Sequence, residues 1–175
     1  MGKHILLTES QMKMISEEIN RNDLIQKLVF CKPEEISFKM YNGVPSGIPV
    51  SRQFNILIPV IDGVEIPRNL VKLECEEYNV DDELFWQLHV EINEKIRRMG
   101  IAEKMYVAFI LKGNNVVDIF TNRVGTFYSE MGKSVKSDMA IGNMWSKIKN
   151  YPNIQIYDLG DGDGKIIGLT AELKK

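Results

Sequence analysis

The chain has 175 residues and a mass of 20.1 kDa, with 44% hydrophobic and 26% charged residues. That is the length of one domain with its own core, needing no disulfide or metal staple, and the composition excludes a disordered or collagen-like chain. Twenty-two Lys and Arg against 24 Asp and Glu leave a net charge of −2, so no global basic field gathers nucleic acid or anionic lipid.

The opening Met1-Gly-Lys-His-Ile-Leu-Leu turns acidic at Glu9 and has no signal-peptide core, and Leu6 stands where a myristoylation signal needs Ser or Thr. Thr8-Glu9-Ser10-Gln11 has the form of a capping box, and Leu7 with Met12 can supply its hydrophobic staple. Met12, Ile15 and Ile19 recur at helical spacing, which predicts a helix over 9–20. Asn22-Asp23 can cap a second piece over 24–30, ended by Lys32-Pro33. Residues 1–33 are therefore expected to form a helical arm, and residues 34–175 a single α+β domain.

From Glu35 the period falls to two. Ile36, Phe38 and Met40 predict a strand over 35–41, a Gly- and Pro-rich loop follows, and 54–61 reads as a second strand. Pro59 points to an edge or a bulge in it. After the Asp62-Gly63 turn, Val71, Leu73 and Cys75 alternate with charges in a third strand, completing a meander. Asp81 or Asp82 is expected to cap a long helix over 82–99, with Phe85, Leu88, Ile92, Ile96 and Met99 as its stripe and Gly100 closing it. Residues 105–111 and 116–121 read as strands joined by a turn at 112–115, followed by a Gly-interrupted helix over 135–150. Strands over 154–159 and 165–173 close the chain around Gly160-Asp161-Gly162-Asp163-Gly164. The fold class expected is α+β: a mainly antiparallel sheet with one long and one shorter helix, preceded by the arm.

Few residues point to catalysis. Asp158, Asp161 and Asp163 on a Gly-rich loop are the candidate metal ligands, but the Ca²⁺-loop register would need an acid at Leu159 and has Thr170 at its twelfth position, which favours a solvated turn. His4 and His89 lack a partner at metal-ligand spacing, and no nucleophile elbow, dinucleotide fingerprint or phosphate loop occurs. The paired carboxylates Glu34-Glu35, Glu76-Glu77 and Asp81-Asp82-Glu83 have local explanations at strand exits, exposed faces and a helix start. Cys31 and Cys75, each in an apolar stretch, read as reduced core thiols of a protein made in a reducing cytoplasm. Arg97, Arg98, Arg123, Lys133 and Lys136, with Phe127 and Tyr128 for stacking, are the one basic strip able to make a weak nucleic-acid contact. Met12, Met40, Met99, Met105, Met139 and Met144 are expected at core positions. The longest apolar run, about the length of Tyr106 to Leu111, is too short for a membrane helix. No catalytic residue, cofactor or membrane partner is therefore assigned, and the protein is expected not to be an enzyme.

Lys3-His4-Ile5-Leu6-Leu7-Thr8-Glu9-Ser10-Gln11 resembles a start that recurs in proteins of crAss-like tailed bacteriophages, where a basic and apolar lead into Leu-Thr-Glu-Ser heads several otherwise unrelated proteins, some of them virion components. The likeness spans about the first 20 residues and carries over no site residue. It implies a structural or assembly subunit of the virion, such as a head-to-tail connector, tail-ring or accessory protein, made in the host cytoplasm. Its expected partners are copies of itself and other virion proteins. The arm residues Leu7, Met12, Ile15 and Ile19, with Tyr41 and Val44 on a long loop expected over 41–54 and Phe127 and Tyr128 on another over 122–137, are the candidate contacts. The alternatives are a small metal-dependent hydrolase or nuclease using the Asp158–Asp163 loop and a phage module that binds a host protein.

Overall fold

The computed structural model describes residues 8–43, 54–80, 82–119, 143–160 and 166–174. In chain order the elements are α1 (Glu9–Phe30), β1 (Ile36–Gly43), β2 (Phe54–Ile61), β3 (Val64–Glu65), β4 (Val71–Val80), β5 (Glu83–Ile92), α2 (Ile101–Leu111), β6 (Val116–Ile119), the short helix α3 (143–148), β7 (Ile154–Gly160) and β8 (Ile166–Leu173). Among the described residues the strands form one eight-stranded sheet in the order β1-β2-β4-β5-β6-β8-β7, with β3 paired to β2 beside that path. Every pair is antiparallel except β5–β6. The fold is α+β.

The capping box forms as its residues require: the Gln11 amide donates to Thr8 Oγ1 (3.2 Å) and the Thr8 amide to Gln11 Oε1 (2.9 Å). The helix it starts does not break at Asn22-Asp23. With neither Pro nor Gly to interrupt it, α1 runs unbroken to Phe30, so among the described residues the long helix is the N-terminal one. Its last turns join the core, where Leu28 is fully buried and Leu24, Ile25 and Val29 pack around it.

The segment expected as the long helix, 82–99, is instead strand β5 followed by a turn. Leu88, Val90 and Ile92 alternate with His89 and Glu91, and this period of two wins because β4 pairs with β5 over ten residues, from Val71↔Ile92 to Val80↔Glu83. Asp82 has φ +65° and sits in the two-residue hairpin connection where a helix cap was expected, a conformation Asp tolerates.

The opposite correction applies to 105–111, expected as a strand. These residues belong to α2, which enters from Gly100 (φ +72°) and leaves through Gly113 (φ +86°). Residues Met105 to Ile110 are all buried, so no polar face marks the helical period. Consequently 112–115 is no hairpin: it returns the chain to β6, parallel to β5, through a β-α-β crossover. Of the helix expected over 135–150, α3 occupies 143–148, while 135–142 lie outside the described residues. Pro59 lies within β2, which is flanked on both sides, between the β4 pairing at Asn55–Leu57 and the β3 pairing at Val60–Ile61, where its missing amide interrupts no ladder.

α2 is the centre of the core. Phe109 meets Phe38 and Trp86 edge-on at 5.7 and 6.4 Å, and the Tyr106 hydroxyl donates to the Leu88 carbonyl (2.7 Å). Its half-buried Lys104 reaches the end of α1, donating to the carbonyls of Leu28 (2.9 Å) and Val29 (2.6 Å), which no residue within α1 can satisfy. Lys104→Met keeps the aliphatic stem and removes these bonds. It should lower stability by about 1–3 kcal/mol and speed amide exchange in the last turns of α1, measured by hydrogen exchange with mass spectrometry. Unchanged exchange there would show that the cation does not pin the helix.

Candidate functional site

α1 carries two apolar faces. Seven residues, about two turns, separate Met12 from Ile19, and eleven, about three turns, separate Ile19 from Phe30, so the three side chains share one side. Nine residues, about two and a half turns, separate Ile19 from Leu28, which places the docked face opposite. Met12, Ile19 and Phe30 are 52%, 55% and 76% exposed. Ile15 falls within α1, its side chain outside the described residues.

The docked side of α1 also bounds a groove of about 420 Å³ against the turn Glu94–Ile96. Met14, Ile25, Leu70 and Ile96 supply its apolar lining, and Glu17, Glu18, Arg21 and Lys95 supply its charges. The Asn93 side chain braces this wall twice, accepting from the Lys95 amide (3.1 Å) and donating to the Asn69 carbonyl (3.0 Å).

A second polar constellation lies at the edge of the core, around the half-buried Asp118. Asp118 on β6 accepts a 2.6 Å hydrogen bond from Trp145 Nε1 of α3, and the Trp145 ring stands edge-on to Tyr106 at 5.3 Å. Burial raises the Asp118 carboxyl above the usual carboxylate range, and the indole donor offsets only part of this. Burial also pushes up the Tyr106 phenol, with the charge of Asp118 adding to it. Sequence reasoning passed over this pair, although an acid inside the apolar run Val116-Val117-Asp118-Ile119 was a visible signal.

The remaining sequence candidates are dispersed. Tyr41 on β1 donates its hydroxyl to Glu65 Oε2 (2.8 Å), while the Arg68 guanidinium lies over its ring at 4.5 Å. Lys39 completes the cluster with a 2.6 Å bridge to Glu65, which holds that carboxyl below its ordinary range. Leu7, Val44, Phe127, Tyr128, Asp161 and Asp163 lie outside the described residues, as do His4, Arg123, Lys133 and Lys136. Asp158 is exposed on β7 opposite Leu169, and His89 is exposed on β5 opposite Glu74. Arg97 donates to the Ile92 carbonyl (3.1 Å), and Arg98 occupies a left-handed turn position (φ +67°). Among the described residues no three His, Cys, Asp or Glu side chains are arranged to hold a metal ion, and no helix is long and apolar enough to cross a membrane.

No family model, curated protein or solved structure matches this chain.

Both cysteines are free thiols. Burial pushes Cys75 up to about 12 and raises the half-buried Cys31 as well, which holds both in the unreactive thiol form. Three of the methionines expected in the core are instead exposed: Met12, Met40 and Met99. Met105 is fully buried, Met144 packs against the core, and Met139 lies outside the described residues.

Proposed function

We propose that this chain is a non-enzymatic structural or assembly subunit of a phage virion, of the head-to-tail connector, tail-ring or accessory kind, acting through contacts with its own copies and with neighbouring virion proteins. The observation that carries the reading is the outer stripe of α1. Three large apolar side chains stand more than half exposed on the face opposite the docked one, and apolar stripes of this kind are what helices bury against partner proteins. The resemblance of residues 3–11 to the start of crAss-like phage proteins supports the virion setting.

The test is sedimentation velocity on the wild-type chain and on Met12→Glu/Ile19→Glu. The wild type is expected to sediment as a species larger than the 20.1 kDa chain. The double variant is expected to sediment as a monomer with an unchanged melting temperature, because neither side chain is packed in the monomer. A wild-type chain that stays monomeric at its highest attainable concentration, and is missing from purified particles, overturns the reading.

A further inference from the structure

We infer that the segment Lys3–Leu6 folds back along α1 of its own chain and closes the Met14 end of the groove, setting Ile5 over Met14 and Lys3 against Glu17 and Glu18. The contact lies within one chain, on the side of α1 away from the outer stripe, and so is independent of the assembly reading.

Met14 is 68% exposed, more than Met12 or Ile19, yet it is no part of the outer stripe. It follows Met12 by two residues, about 200° around the helix, and precedes Arg21 by about two turns, which puts it on the groove side. Its apolar surface there gains from any apolar side chain that covers it. One turn further on stand Glu17 and Glu18, to which no cation of the described residues bridges. An occupant of this end of the groove therefore needs an apolar side chain first and a cation beyond it.

The chain carries that order immediately before α1. Running away from Thr8, Leu6 and Ile5 come first, and His4 and Lys3 follow. The lengths agree as well. Along the helix axis Met14 lies about 9 Å from Thr8, and Glu17 and Glu18 about 14–15 Å. With Leu7 spent on the reversal, the extended chain carries Ile5 about 7 Å and the Lys3 backbone about 13 Å, and the lysine stem covers what remains. Arg21, about 20 Å along, lies beyond the lysine, so the order of charges is not opposed.

Attachment favours this occupant over a free one of the same chemistry. Thr8 is fixed to Gln11 by reciprocal hydrogen bonds, and a segment tethered there is held beside the groove at an effective concentration on the order of millimolar. A separate chain must exceed that concentration to displace it.

Methionine oxidation by dilute hydrogen peroxide, read residue by residue by mass spectrometry on the full chain, tests this. Met40 and Met99, 53% and 47% exposed, are the references. Met14 is expected to oxidise several-fold more slowly than either, although its own exposure is greater. Ile5→Ser should raise Met14 to the reference rate, and so should Glu17→Lys/Glu18→Lys. Adding Lys3→Glu to that double variant should restore the protection, which a local disturbance of α1 does not predict. Protection that persists when the chain is diluted until it sediments as a monomer supports cover by its own segment, whether or not the assembly reading holds. Protection lost on that dilution assigns the cover to a second copy and overturns the inference while leaving the assembly reading standing. A wild-type Met14 that oxidises as fast as Met40 overturns it outright.

Discussion

Replacing Gly168 by valine is expected to lower stability by about 3 kcal/mol or more, and by alanine somewhat less. At this chain length each kcal/mol corresponds to about 2–4 °C, so the valine variant should melt about 6–12 °C below the wild type. Gly168 stands on β8 opposite Ile119 of β6, and a Cβ built on it runs into the carbonyl oxygen of Asp118 and comes within 3.0 Å of Ile119 Cα. Both obstacles are backbone, so no side-chain rotation relieves them. The strands must separate, at the expense of the ladder from Val116↔Ala171 to Ile119↔Gly168. A thermal melt followed by circular dichroism reads the effect. An alanine variant that melts with the wild type would mean that β6 and β8 do not approach this closely.

The second large effect is expected at Asp118. Trp145→Phe keeps an aromatic ring beside Tyr106 but removes the indole donor, leaving a part-buried carboxylate short of its hydrogen bond at a loss of about 1–3 kcal/mol at neutral pH. The pH dependence has a definite sign. Because the folded-state pKa is raised, the stability this group contributes is fully present below the ordinary carboxylate pKa and is lost as pH rises through the raised native value. Trp145→Phe removes the one influence that lowers this pKa, so it should extend the loss to higher pH. Asp118→Asn can still accept from the indole and carries no charge, so its stability should no longer fall across that window. Urea titrations of the three proteins at several pH values decide the matter: an Asn variant that keeps the wild-type pH slope would exclude Asp118 as its source.

The two long misreadings have one origin. Phe85, Leu88, Ile92, Ile96 and Met99 satisfy a helical stripe, and the same stretch satisfies a strand from Leu88 to Ile92. Only the ten-residue pairing with β4 selects between them. Residues 105–111 are apolar throughout and so carry no period, and their identity depends on being covered by the sheet, α1 and α3 together. The candidate site divides in the same way. Met12 and Ile19 were legible as one helical stripe, yet that stripe could equally have been the buried face. Leu28, Leu24 and Ile25 had to be seen docked before the outer stripe appeared as the free one. The groove was not legible at all, because Leu70 and Ile96 reach it from segments remote from α1 in the chain.

What the amino-acid order determined by itself is local: the capping box at Thr8, the strand over 54–61, the turn after Ile61, the ends of the last two strands to within a residue, and an α+β class with a mainly antiparallel sheet. Each of these rests on hydrogen bonds or side-chain alternation within a few residues. Tertiary structure alone decided that 83–92 is a strand, that 101–111 is a helix, that β5 and β6 run parallel and that Asp118 meets Trp145. In those places the local preferences are balanced or silent. The free energy that breaks the tie comes from burying surface and pairing backbone between segments far apart in the chain.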